Sequence, residues 1–234
     1  MPFTAKSGKF NASINTVEFG TGDKAVKIGG ENVFPLYSFD AAIENAPKVG
    51  IEITDFGMEH EPECIKKYYE GCATLADMAR KAASMEGVDF LSFRMEGGDP
   101  NGANKSTEEL IGELKEIADA VDLPLVVCGC KNVEKDAELF SKAAEALNGK
   151  NAVILSAKEE NYKTVGAAAG LAYKQIVGAE SAVDINLAKQ LNVLISQLGV
   201  DSKSVVMNVG SAAVGYGFEY VILSLIHISE PTRP

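Results

Sequence analysis

Six short apolar runs set the frame for this chain, because each one leaves into a cluster of acid, amide and glycine just before a helix begins. The runs are Val49 to Thr54, Val88 to Met95, Leu123 to Cys130, Ala152 to Ala157, Gln175 to Glu180 and Ser204 to Gly210. Strands that alternate with amphipathic helices build parallel sheets, since a parallel crossover needs a helix to carry the chain back. Stretches such as Leu125-Val126-Val127 and Val153-Ile154-Leu155 are apolar at successive positions, which predicts that both sheet faces are covered. The helices are as legible. Ser106-Thr107-Glu108-Glu109 predicts a capping box, and Leu110, Ile111, Leu114, Ile117 and Ala118 follow at helical spacing. Leu187, Leu191, Leu194, Ile195 and Leu198 repeat that pattern until Gly199 ends it.

Two architectures fit, a doubly wound open sheet and an eight-stranded barrel. No strand is followed by GxGxxG or by a Walker A loop, and Gly97-Gly98 and Gly215-Tyr216-Gly217 lack the rest of either motif. In a barrel several strand ends each contribute polar residues to a single cup, which is what these exits offer. The expected fold is therefore an α/β (β/α)8 barrel of the TIM type, with about six of its eight units present at 49–222 behind an N-terminal extension at 1–48. The length fits one such domain, since single barrels run to about 250 residues.

Charge removes several function classes. With 33 acidic against 22 basic residues the net charge is −11, which repels nucleic acid and anionic membranes. No apolar stretch reaches the roughly 18 residues of a membrane span, and no signal-peptide core opens the chain, so a cytoplasmic protein with thiol cysteines is expected. Cys128 and Cys130 form Cys-x-Cys at a strand end, while Cys64 and Cys72 fall in the first helical segment. The strand-end pair reads either as alternate-facing small residues or, for Cys130, as a cofactor contact. Zinc or iron-sulfur ligation wants Cys-x-x-Cys pairs or further ligands nearby.

Residues 223–234 resemble the translation of a sequencing-library adapter and are set aside, and His227 goes with them. His60, in the acidic run Glu59-His60-Glu61-Pro62-Glu63, is then the sole histidine and reads as a solvated loop residue. A His-based triad or His-rich metal site has almost no raw material.

The exits also carry a family resemblance. The segments are Asn132-Val133-Glu134-Lys135-Asp136 after Cys128-Gly129-Cys130, Glu159-Glu160-Asn161-Tyr162-Lys163, the run from Asp184-Ile185-Asn186 to Asn192, and Gly215 to Tyr220. Together with Asp99-Pro100-Asn101-Gly102 and Lys24 to Glu31, they resemble the small subunit of the corrinoid iron-sulfur protein, the delta-type subunit of acetyl-CoA decarbonylase/synthase complexes. The resemblance spans about 10–222. It implies a barrel that covers a corrinoid (cobamide) shared with a large subunit carrying an iron-sulfur cluster. It also implies a methyl group passed from a methyltetrahydropterin methyltransferase to acetyl-CoA synthase. Family barrels have eight units, so the six counted here imply a chain lacking its last two and unstable when expressed alone.

A corrinoid is a flat, amide-rimmed ring, so its cover should offer neutral donors and acceptors rather than strong charges. Asn101, Asn132, Asn161, Asn186 and Asn208 supply amides. Gly97, Gly98, Gly129 and Gly210 allow close backbone approach, and Asp99, Cys130 and Asp184 complete the cofactor-binding set, with no catalytic or metal-binding residue expected. Each has a plainer reading: Asp99 as an Asx turn, Asp184 and Asn161 as helix caps, Glu159 and Glu160 as partners of a helix dipole. Asn208 is harder to explain away, since a buried strand amide needs partners. A methyltetrahydrofolate–corrinoid methyltransferase acting alone is the rival, with Asp99, Asn132, Asp184 and Asn208 on the pterin. A self-sufficient corrinoid domain would want Asp-x-His-x-x-Gly, which is missing.

Overall fold

The computed structural model describes residues 13–31, 43–210, 215 and 217–219. The first element is an antiparallel hairpin of β1 (Val17–Phe19) and β2 (Val26–Ile28). Six parallel strands follow in one sheet: β3 (Gly50–Thr54), β4 (Phe90–Arg94), β5 (Leu125–Cys128), β6 (Val153–Ala157), β7 (Ile176–Glu180) and β8 (Val205–Asn208). They lie side by side in chain order, each hydrogen-bonded to the next. All six expected runs are strands, trimmed at the ends where turns begin. The helices between them are α1 (Glu63–Tyr68), α2 (Leu75–Ala83), α3 (Thr107–Ala120), α4 (Val133–Ala146), α5 (Tyr162–Val165) with a π-helical continuation over Gly166–Ala172, and α6 (Ile185–Gln197).

The two sheet faces have different partners. Leu91, Phe93, Val127, Ile154 and Val177 pack in one cluster with the helix residues Leu110, Leu114, Leu139, Phe140, Leu191 and Ile195. Most of these side chains are shut off from solvent, and each contributes about 1.5–3 kcal/mol relative to an exposed position. The opposite face offers Val126, Cys128, Val153 and Ile176, and these pack against Val17, Phe19 and Val26 of the hairpin. A doubly wound sheet carries helices on both faces, whereas here they cover one. The parallel α/β sheet thus fits a TIM-like fold.

The hairpin belongs to that fold. Phe19 sets its ring edge-on to Phe90 at 5.7 Å between centroids, and the Gly20 amide donates to the Asn151 carbonyl at 2.7 Å. Gly20 has φ +82° and lies directly against Pro124, so a side chain there would meet both backbone strain and the proline ring. The described residues of the N-terminal extension therefore cover the sheet face away from the helices, at the end opposite the strand exits.

Three local expectations are corrected. Ser106 caps α3 by accepting the Glu109 amide at 3.1 Å, but no return bond from Glu109 completes a box; the full capping box lies at Thr74 and Asp77. The first helical segment breaks at Gly71 (φ +88°), leaving Cys64 on α1 and Cys72 between α1 and α2. The sheet face away from the helices is not apolar throughout, because β3 and β4 turn Glu52, Ser92 and Arg94 toward it. Residues 223–234 and Tyr216 lie outside the described residues.

Candidate functional site at the strand exits

Register decides which polar residues share the sheet face away from the helices. Glu52 pairs with Ser92, Arg94 with Cys128, Cys128 with Leu155, Leu155 with Gly178, and Glu180 with Asn208. Side chains alternate faces along a strand, so these residues line one surface toward the strand ends. Arg94 grips Glu52 with two hydrogen bonds of 2.8 Å, from Nε and Nη2 to the two carboxylate oxygens. Such forked, charge-assisted pairs fix both side chains. Ser92 Oγ lies 3.5 Å from Cys128 Sγ, Lys158 Nζ reaches Glu180 at 3.8 Å, and Asn208 Nδ2 donates to Ser156 Oγ at 3.4 Å. The expected neutral rim is therefore built partly from charges, but from opposite charges that cancel in pairs.

The exits of β3, β4 and β5 are pinned by buried carboxylates. Asp55, just past β3, accepts the Gly97 amide on both oxygens at 2.9 and 3.1 Å. A methyl group on Gly97 would overlap Asp55 Oδ2, so glycine is required there by contact alone. Lys105 Nζ lies 3.1 Å from Asp55 Oδ2, 2.9 Å from the Asp55 carbonyl and 3.1 Å from Glu113 Oε1. Burial pulls the Lys105 ammonium down, but its bonds to Asp55 and Glu113 more than offset that and hold it charged. Burial pushes the Glu113 carboxyl up, with its bond to Lys105 pulling against that rise.

At the next strand Asp136 acts in the same way. It accepts the Cys130 amide at 2.7 Å and the Cys130 thiol at 3.2 Å. Burial pushes that thiol up to about 11; the Asn132 amide opposes the rise and the Asp136 carboxylate adds to it. Burial also raises Asp136, with the bonds from Cys130 pulling against it. Gly129 packs against the same carboxylate and the Phe140 ring. Cys130 thus sits in the helix-side core as a protonated donor, whereas Cys128 is the cysteine on the opposite sheet face, beside the hairpin.

The exits of β6, β7 and β8 are less complete. Asn161 is buried and accepts the Lys158 amide at 2.7 Å, but its Nδ2 has no partner. It occupies the position before α5, where its carbonyl accepts the Val165 amide at 3.0 Å but its side chain does not cap the helix. Ser181, directly after β7, is 2% exposed and its hydroxyl is likewise unpartnered. Asn208 accepts the Gly210 amide at 3.3 Å.

Of the remaining expected site residues, several spend their polar atoms locally. Asp99 accepts the Asn101 amide at 2.9 Å in an Asx turn, with Asn101 exposed. Asn132 caps α4 through the Lys135 amide at 3.0 Å. Asp184 caps α6 through the Asn186 and Leu187 amides at 2.8 and 3.1 Å, leaving Asn186 exposed in the first turn. Gly98 is buried against Leu110 and Leu139, and Gly210 has φ +74°. His60 is exposed beside the Phe56 ring. Among the described residues no group of three His, Cys, Asp or Glu side chains could hold a metal ion, and no helix is long and apolar enough to cross a membrane.

Glu52, Arg94, Asp136, Lys158, Glu180 and Ser181 are absent from the expected site. The first two had a signal: Glu52-Ile53-Thr54 and Ser92-Phe93-Arg94 alternate polar and apolar, the mark of one polar face. Nothing local marks Ser181 or the backward reach of Asp136.

Comparison with known proteins gives the family. The family model for the CO dehydrogenase/acetyl-CoA synthase delta subunit matches residues 16–230. A protein named acetyl-CoA decarbonylase/synthase complex subunit delta in Methanothermobacter thermautotrophicus is 31% identical over 216 residues, covering 91% of this chain and 55% of its own length. Proteins of the same name in Methanocaldococcus jannaschii and Archaeoglobus fulgidus are each 30% identical, over 94% and 89% of this chain and 56% and 46% of theirs. The chain spans about half the length of these curated relatives. By this match, which runs through every strand of the sheet, the chain belongs to the CO dehydrogenase/acetyl-CoA synthase delta subunit family.

Proposed function

We propose that this chain is the small subunit that covers a corrinoid shared with a larger iron-sulfur subunit, and so helps carry a methyl group from a methyltetrahydropterin methyltransferase to acetyl-CoA synthase. Its six parallel strands then form staves of a (β/α)8 barrel whose open end meets the ring. The observation that carries this reading is the chemistry of the strand-end face: charges cancelled in the pairs Glu52–Arg94 and Lys158–Glu180, with neutral groups of Asn161, Ser156 and Asn208 beside them. An amide-rimmed ring wants such a surface, and the unpartnered Asn161 Nδ2 is a donor still lacking its acceptor. When bound, the corrinoid supplies the cobalt that accepts and gives up the methyl group. The chain's own residues orient the ring and exclude water. Neither Cys130, held as a protonated donor, nor exposed His60 is placed to ligate a metal on this face.

The pterin-binding enzyme is less well supported, because Asp99, Asn132 and Asp184 already bond their own loops and helix ends. Purification of the chain with and without the large subunit tests the reading. Corrinoid absorbance that copurifies only with the pair is expected. Stoichiometric methyltetrahydrofolate binding and methyl transfer by the chain alone would overturn it.

A further inference from the structure

The rim of the strand-end face has two unlike halves. At the exits of β4 and β5 the amides of Gly97 and Cys130 and the Cys130 thiol all have partners. Among the described residues three polar atoms shut off from solvent have no partner: Glu113 Oε2, behind the Lys105 cluster, and Asn161 Nδ2 and Ser181 Oγ, which lie together at the exits of β6 and β7. Left-handed backbone occurs singly past β4 at Asn104 and past β5 at Lys131, but at two consecutive residues here. Ala182 and Val183, the next two residues, have φ +44° and +73°, in the left-handed region that side-chain-bearing residues avoid and a β-branched valine avoids most. They are held there from the neighbouring exit: the Ser181 amide donates to the Asn208 carbonyl at 3.1 Å and the Val183 amide to the Val209 carbonyl at 2.7 Å. The outer side of this segment is free, since Ala182 and Asp184 are exposed.

Unmet hydrogen-bonding groups beside two consecutive strained residues mark an arrangement imposed by its surroundings, and such segments persist where another state also matters. We infer that Ser181–Asp184 is a ligand-responsive strap, which leaves the left-handed conformation when an amide-rimmed ligand fills the cup and so turns the Ser181 hydroxyl onto that ligand. Asn161 Nδ2 supplies a donor on the adjoining exit. A hydroxyl and an amide nitrogen suit the carbonyl and amino groups of ring amides, and the closure needs no charge. Ligand binding can shift the strap because the two states offer the ligand different contacts. The inference rests on the corrinoid reading above.

The test uses the complex of this chain with the corrinoid-bearing large subunit, free and loaded with hydroxocobalamin, followed by hydrogen exchange and by retention of the cobalamin. Exchange over 181–184 is expected to change on loading, while exchange at 97–99 and 129–131 does not. Ser181→Ala is expected to weaken retention by about tenfold, the size of one good hydrogen bond, with the melting temperature unchanged or raised. A merely structural serine would lower the melting temperature instead. Val183→Gly, which removes the strain and keeps the hydroxyl, should shrink the exchange change. A loaded complex whose exchange at 181–184 is unaltered, or a Ser181→Ala complex that retains cobalamin like the wild type, overturns the strap. A wild-type complex that retains no cobalamin overturns the corrinoid reading itself, and the strap with it.

Discussion

Replacing Asp55 by alanine removes the anchor between the β3 and β4 exits, and its effect can be worked from the contacts. The buried Gly97 amide loses both carboxylate oxygens, and an unsatisfied buried donor costs about 1–3 kcal/mol. Lys105 loses one of its two carboxylates but keeps Glu113 at 3.1 Å and is partly open to solvent, which limits that contribution to about 1 kcal/mol. The expected loss is about 2–4 kcal/mol, a large share of the roughly 5–15 kcal/mol that holds an ordinary domain together. Urea unfolding followed by circular dichroism measures it. A second substitution sharpens the test. Gly97→Ala in the wild type pushes a methyl group into Asp55 Oδ2 and should destabilise by about 1–3 kcal/mol. In the Asp55→Ala background that methyl group has room, so the double variant should be more stable than the sum of the singles by about 1–2 kcal/mol. Strict additivity, or a loss under about 1 kcal/mol for Asp55→Ala, would refute the claim that this carboxylate pins the loop.

Gln175 is 1% exposed, accepts the Ala152 amide at 2.6 Å and donates to the Leu147 carbonyl at 2.9 Å. Gln175→Leu strands both backbone groups and is expected to cost about 2–4 kcal/mol in the same unfolding assay. Cys130 sets an alkaline limit. Its thiol holds its proton to about 11 in the fold against 9.0 ordinarily, so below pH 9 it has no pH effect on stability. As pH rises from there toward about 11 the unfolded chain ionises first and stability falls, by up to about 2–3 kcal/mol in total. Cys130→Ala should show a shallower alkaline loss in pH-dependent urea melts, and a slope like the wild type's would sink the assignment. At pH 8 a thiol reagent should label exposed Cys64 well before Cys130.

Fold and site were legible to different degrees. The six runs named all six parallel strands, because a strand buried by neighbours on both sides must be apolar in its own sequence. The helix caps at Ser106 and Asp184 were equally plain, since a cap bonds residues two or three positions away. The hairpin was missed: Val17, Phe19 and Val26 are unremarkable until the sheet gives them a face to pack on. Among the candidate site residues, the amides were found by type, but type could not say that Asn132 caps α4 while Asn161 keeps a free Nδ2. The Glu52–Arg94 pair joins residues 42 positions apart, and only register puts them side by side.

What the chain's order of residues determined by itself is therefore the local beat, with apolar runs, caps and turn residues whose partners lie within a few positions. The family likeness came from the same source, because it rests on runs at the exits. The tertiary structure alone decided which exits are closed and which are open. Asp55 reaches from the β3 exit to satisfy Gly97 at the β4 exit, while Asn208 and Val209 hold Ala182 and Val183 in a conformation their own side chains disfavour. Such long-range hydrogen bonds depend on where neighbouring strands end in space, and that spacing is written in no single segment.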